Sequence, residues 1–252
     1  YLVSFVDRIA LGVLQEPIKL ELGLSDWQLG LLSGPAFALL YSITGLPIAR
    51  LAERRSRTMI LAASLVVWSV MTMMCGLARN FTHLLLARAG VSIGEAGCNP
   101  TAHSLIADLF PTLERGRAIA FYSLGAPIGA FVGALAAGWV AQQWGWRTAF
   151  LLLGPPGFVL AVVILFGMPK PRRGQFDSTS AQATNDKAPP FRVVLNSFFG
   201  NAVLRQLAAG SAIVVLVGYG VAAFLSSFLI RRHGLDLGSV GLLTGLVNGA
   251  GA

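Results

Sequence analysis

The chain has 252 residues, 55% of them hydrophobic and only 12% charged, with a mean hydropathy of +0.69 and a net charge of +8. That balance excludes an ordinary soluble domain and predicts helices embedded in a membrane. The basic excess follows the ends of the apolar segments, so it calls for no nucleic-acid partner.

Apolar runs predict membrane spans near residues 1–22, 29–49, 58–78, 82–107, 118–141, 148–168 and 206–230, with an eighth starting near 238. Of the basic residues at span ends, twelve fall on the side of the loops after the second, fourth and sixth spans, including Arg50, Arg54, Arg57 and Arg115. Five fall on the other side, Lys19, Arg79, Arg147, Arg231 and Arg232. The excess of positive charge assigns the first side to the cytoplasm of a multi-pass protein of the plasma or inner membrane. Both ends of the sequence lie inside apolar runs, from Tyr1 to Ala252, as expected for a piece of a longer protein.

The first span holds Asp7, Arg8, a short outer turn (Gly23 to Asp26) follows it, and Ser25 with Gln28 reads as a capping box opening the second span. In the fourth span Gly90 and Gly94 recur at a spacing of four, as do Gly125, Gly129 and Gly133 in the fifth, which suits close approach of helix backbones in lipid. Pro100 and Pro127 are expected to bend these two spans. Cys75 and Cys98 lack a CxxC spacing, and His83, His103 and His233 are scattered, so neither a metal site nor a redox pair is expected. Each histidine reads as a local hydrogen-bonding residue.

After six spans (1–168) the composition turns polar, with DSTSAQATNDKAPP from Asp177 to Pro190. A cytoplasmic linker is expected over 169–205, ending in a surface helix whose apolar face holds Val194, Leu195, Phe198 and Phe199. Residues 206–252 then begin a second set of spans. Six spans, a linker and a fresh set suggest a two-half architecture of the kind repeat-built transporters use.

Four charges stand where hydrocarbon tolerates them least: Asp7 and Arg8 in the first span, Arg88 and Glu95 in the fourth. Helical rise puts Asp7 about 22 Å and Glu95 about 20 Å below the outer ends of their spans, with Arg88 about 9 Å below. Arg88 and Glu95 are seven residues apart, two turns on one helix face. A cavity between the two spans would then hold two carboxylates and an arginine, and carboxylates that share such a site bind a proton that a guanidinium can displace. Asp7 and Glu95 are the candidates for the titratable charge, and Arg88 and Arg8 for modulating the proton site or holding a substrate anion. Neighbouring residues project about 100° apart, so only one of Asp7 and Arg8 is expected to face the cavity squarely. The competing reading is structural: Arg88 pairs with Glu95, and Asp7 with Arg8 or backbone.

The loop ARLAERRSRTMIL (Ala49 to Leu61) resembles motif A of the major facilitator superfamily, Gly-x-Leu-Ala-Asp-Arg-x-Gly-Arg, departing at Ala49, Glu53 and Ser56. The strings FVDR (Phe5 to Arg8), LGLSDWQLGLL (Leu22 to Leu32), WSVMT (Trp68 to Thr72), LLLARAGVSIGEAG (Leu84 to Gly97), SLIADLFP (Ser104 to Pro111) and GWRTAFLLLGPPG (Gly145 to Gly157) look like the spinster branch of that superfamily, with Ser92 where that pattern usually has glycine. SLGAPIGAFVG (Ser123 to Gly133) is similar in part to the superfamily's antiporter motif.

The resemblance implies an all-α membrane protein with two six-helix bundles, of which this chain holds the first and the start of the second. It implies that Asp7, Arg88 and Glu95 serve proton coupling and substrate handling. It also implies that Glu53, Arg54, Arg57 and Asp108 latch the cytoplasmic side. After Gln206 the seventh span offers few polar side chains, Ser211, Tyr219, Ser226 and Ser227, which favours an amphipathic or lipid-like substrate with one charged group. The expected function is alternating-access transport by a monomer with protons as coupling ion, with membrane lipids as surroundings, no other cofactor and no enzymatic activity. A multidrug antiporter, a uniporter and a non-transporting receptor or scaffold remain open alternatives.

Overall fold

The computed structural model describes residues 1–169, 171, 174, 176 and 191–250, without the side chains of Glu53, Arg54, Phe191, Arg192, Val194, Leu195 and Ala250. Twelve helices account for nearly all of them, and no strand occurs among the described residues. In chain order they are α1 (Leu2–Leu22), α2 (Asp26–Ser33), α3 (Pro35–Arg54), α4 (Arg57–Gly76), α5 (Phe81–Ala96), α6 (Cys98–Leu109), α7 (Thr112–Ser123), α8 (Gly125–Leu153), α9 (Pro155–Gly167), α10 (Phe191–Gly200), α11 (Ala202–His233) and α12 (Leu237–Ala250). Most of the linker, with the Val194 and Leu195 part of the expected apolar face, lies outside the described residues.

The count of helices exceeds the count of spans because proline interrupts several of them. Pro35 opens α3 and Pro155 opens α9, while Pro100 and Pro127 sit in the first turns of α6 and α8. Each lacks the amide that would bond the carbonyl four residues back, and each disfavours helix in the residue before it. The fourth span therefore bends at Gly97 and the fifth at Leu124, close to the expected positions. Gly145 does more than bend. Its φ of 83° and ψ of 161° lie outside the helical region, and the chain reverses there. The helical stretch Thr112–Gly167 runs 56 residues, which at about 1.5 Å each is far longer than one bilayer crossing. It is two spans joined at Gly145.

By length and composition, Asp26–Ala52, Arg57–Gly76, Thr112–Gly167 and Ala202–His233 can cross a membrane. The chain is an integral multi-pass membrane protein. Helix α1 carries Asp7, Arg8, Glu16, Lys19 and Glu21, more charge than a lipid-facing span tolerates, and it is buried along one face instead, with Ala10, Val13, Leu14 and Ile18 fully covered.

Small residues set how closely the helices meet. A Cβ at Gly129 would fall 2.2 Å from the Leu2 carbonyl oxygen, and one at Gly133 would fall 2.5 Å from Val6 Cα, so these glycines let α8 lie directly on the backbone of α1. Gly94 does the same for α5 against Trp68 of α4. Helix α12 docks on α8 through Gly138 and Gly241, which face each other across that contact. The result holds α1 against α8 and α5 against α4, with the charged residues of α1 and α5 within side-chain reach of one another.

Candidate functional site

The four membrane-embedded charges form two crossed ion pairs. Arg88 Nη1 of α5 donates to Asp7 Oδ2 of α1 at 2.6 Å, and Thr72 of α4 donates to Asp7 Oδ1 at 3.2 Å. Arg8 of α1 grips Glu95 Oε2 of α5 through Nη2 at 2.6 Å and Nε at 2.8 Å. The structural alternative, Arg88 with Glu95 and Asp7 with Arg8, is not what occurs. Asp7 and Arg8, about 100° apart on α1, both find partners on α5, because a long arginine side chain can reach round the helix.

Aromatic rings hold the guanidinium groups. Arg8 lies 5.1 Å from the Phe37 ring centre, 5.3 Å from Tyr41 and 5.7 Å from Phe5, and Arg88 approaches the same Phe37 ring at 5.2 Å. The Ser92 hydroxyl, in the position where the resemblance expects glycine, donates to the Phe37 carbonyl at 2.8 Å and so pins α3 to α5 behind this ring.

The two pairs are chemically unequal. Asp7 is fully buried with both oxygens engaged, whereas Glu95 Oε1 is buried and accepts no hydrogen bond among the described residues. Arg8 retains 21% of its side-chain exposure against 4% for Arg88. A carboxylate with one committed oxygen and one idle one can take a proton without first losing every partner. Glu95 fits that description and Asp7 does not.

At the bundle end carrying the motif loop, Arg57 pairs with Asp108 and donates to Ser104 Oγ at 2.7 Å, while the Gly174 amide donates to Asp108 Oδ1 at 2.9 Å. These are two of the four latch candidates. The side chains of the other two, Glu53 and Arg54, lie outside the described residues.

Sequence reasoning missed the opposite end. Arg231 of α11 meets Glu16 of α1 at 2.6 Å and Asp26 of α2 at 2.6 Å, and Lys19 adds a bond to Asp26 at 2.7 Å. Just beneath, Gln15 donates to Ser33 at 2.6 Å and is reached by Ser227 of α11 at 3.5 Å. The signal was present in Gln15 and Glu16, adjacent polar residues in mid-span about one turn beyond Leu11, but nothing local named a partner more than two hundred residues away. The contact joins the first bundle to the first helix of the second set, closing that end.

Residues 1–252 match the family model of the Major Facilitator Superfamily. The chain belongs to that superfamily. An MFS-type efflux pump of Mycolicibacterium smegmatis is 34% identical over 98% of this chain and 56% of its own length. Protein spinster homolog 1 of Xenopus tropicalis is 26% identical over 90% of this chain and 42% of its own. Among solved structures, a bacterial homologue of the human lysosomal transporter spinster, inward-facing and unoccupied, matches with a TM-score of 0.86 and 34% identity over 99% of this chain and 57% of that one. The chain thus spans about half the length of the relatives it matches. The superfamily consists of transporters, not enzymes.

Proposed function

We propose that the full protein is a secondary active transporter that works by alternating access, exchanges protons at Glu95 and carries an amphipathic or lipid-like small molecule with one charged group. The observation that supports this most directly is the crossed pair arrangement, in which Glu95 keeps one buried oxygen idle and holds a partly exposed arginine with the other. Protonation of Glu95 releases Arg8 toward the cavity, where a substrate anion can replace the lost carboxylate. Deprotonation recaptures it.

Asp7 keeps Arg88 neutralised throughout this state. In the reading the charge distribution favours, the Arg57 and Asp108 end is cytoplasmic and the Arg231 end is outer, so the ion pairs of Arg231 hold the outer side closed. Likeness to an inward-facing spinster homologue supports the same assignment. The Arg57–Asp108 pair is already formed here, and Glu53 and Arg54 complete the cytoplasmic latch in the opposite state; the protein works as a monomer.

The test is flux of a fluorescent lysophospholipid and of ethidium in proteoliposomes containing the full-length protein, with and without a pH gradient. A gradient accelerates movement of a probe in the wild type, and Asp7→Asn and Glu95→Gln abolish the acceleration. Full gradient-driven flux in both variants would rule out the proton role. Gradient-independent flux in the wild type would identify a uniporter.

A further inference from the structure

The fourth span continues its polar stripe past Glu95. Asn99 and His103 follow at intervals of four residues across the bend at Gly97, and this line of side chains runs toward the end bearing Arg57 and Asp108. Neighbouring helices meet this stripe with hydroxyls. Tyr122 of α7 donates to Asn99 Oδ1 at 2.6 Å, and Asn99 Nδ2 donates to Tyr41 of α3 at 3.4 Å. Tyr41 is also the ring on which Arg8 rests. His103 is exposed, its ring lies 5.2 Å from that of Tyr122, and its Nδ1 is 3.0 Å from the Asn99 carbonyl oxygen. A carbonyl only accepts, so the contact requires a proton on Nδ1. The neutral ring therefore keeps its lone pair on Nε2.

We infer that this stripe is the cytoplasmic leg of the proton route and that His103 is the group exchanging the proton of Glu95 with the cytoplasm. The inference rests on the reading that Glu95 carries the proton. The O–H bond of the Glu95 carboxylic acid breaks, the proton passes along water held by the Tyr41 and Tyr122 hydroxyls, and an N–H bond forms at His103 Nε2. The carboxylate left behind is neutralised by Arg8, and the imidazolium releases its proton to bulk water. Asn99 carries no proton; it is a positioning residue that orients both hydroxyls. Among the titratable or charged groups on the elements of this stripe, Tyr122 on α7 touches His103, and the others are Tyr41 on α3, Arg57 on α4, Glu95 on α5, and Cys98 and Asp108 on α6 itself. Water entering from the other end meets the contacts of Gln15, Ser227 and Arg231, which leaves this stripe as the open side.

A pH jump on the purified full-length protein, followed by time-resolved infrared absorption of the protonated carboxyl group, reads the exchange without any substrate. The band assigned to Glu95 is the one lost in Glu95→Gln. His103→Ala slows its disappearance by roughly 100-fold, the low end of what a positioned proton-transfer group contributes, while the final amplitude stays the same. Free imidazole restores the rate. His103→Gln behaves like His103→Ala, which guards against a folding defect in one variant, and Asn99→Ala is slowed with no imidazole rescue. An unchanged rate in both His103 variants, or a slowing that imidazole does not relieve, overturns the inference and leaves the Glu95 reading standing. If no band disappears in Glu95→Gln, the Glu95 reading falls and takes this inference with it.

Discussion

Breaking the Asp7–Arg88 pair should cost far more than breaking the Glu95–Arg8 pair, although the two look equivalent in sequence. In Asp7→Asn the carboxylate that neutralises Arg88 is gone, while the guanidinium stays 4% exposed with its Nε already lacking a hydrogen-bond partner. Removing one partner of a buried pair costs about 3–5 kcal/mol, because the survivor is left charged and dry. In Glu95→Gln the stranded group is Arg8, which is 21% exposed and rests on three aromatic rings, so the loss is nearer that of a charged hydrogen bond, about 1.5–3 kcal/mol. Thermal denaturation of the purified full-length protein measures the difference directly. Asp7→Asn lowers the midpoint about twice as far as Glu95→Gln. The double variant Asp7→Asn with Arg88→Gln recovers much of the loss, since it removes the unpaired charge, with a coupling of about 1–3 kcal/mol. If Glu95→Gln is the more damaging change, or if Arg88→Gln adds its cost to that of Asp7→Asn without recovery, the crossed pairing is wrong.

Further outcomes follow from packing and from the two ends of the bundle. Gly133→Leu places side-chain atoms against the α1 backbone at Val6, so it destabilises the protein by at least the roughly 1–3 kcal/mol of an overpacked site, whereas Gly116→Leu, with open space around its Cβ, is neutral in the same melting assay. Arg231→Gln frees the end held by Glu16 and Asp26, and a cysteine introduced at Ser33 becomes reactive toward an impermeant maleimide added outside; Arg57→Gln acts in the opposite sense and lowers that labelling. Asp236 caps α12, accepting from the Ser239 amide and hydroxyl, each at 2.9 Å, and these bonds hold its carboxyl below the usual range. A depressed folded value means the contribution is complete at neutral pH and lost only as pH falls through that lowered value, so hydrogen-exchange protection of the first turn of α12 drops in strong acid in the wild type and not in Asp236→Ala.

How much was legible in the sequence depends on whether the cause was local. Pro100 and Pro127 announce their bends because a proline acts on its own helix, and Ser25 with Gln28 announces a cap for the same reason, the Gln28 side chain accepting from the Ser25 amide at 2.9 Å. That the charges of the first and fourth spans would come within reach of one another was legible too. Pairing was not. Whether Arg88 turns to Asp7 or to Glu95 depends on how far α1 and α5 are rotated against each other. That rotation is set by glycine contacts to α8 and α4, at Gly129, Gly133 and Gly94. The Arg231 contacts were further from reach, because they join segments whose relation is fixed only when the second set of helices docks through Gly138 and Gly241.

Helix α1 ties these levels together. One rigid rod carries Asp7 and Arg8 at the level of α5, and Gln15, Glu16 and Lys19 at the level of α2 and α11. Its glycine contacts with α8 are backbone to backbone, so it cannot rotate alone without losing that packing across several turns. Opening the Arg231 end therefore demands that α11 leave α1, not that α1 deform. The first bundle then moves through the transition as a unit, and within it only the Glu95–Arg8 pair opens and closes under the proposed proton exchange. Under the proposed proton exchange, a proton at Glu95 shifts the balance between the two states through what α11 presents to Arg8 in each, and Tyr219 is an α11 residue whose field reaches the Arg8 guanidinium. Tyr219→Phe thus alters the pH dependence of maleimide labelling at a Ser33 cysteine while leaving the melting temperature within a degree or so, at the small end of single-substitution effects. Labelling with an unchanged pH profile would separate the outer contacts from the buried charges and would refute the idea that α11 reads the state of Glu95.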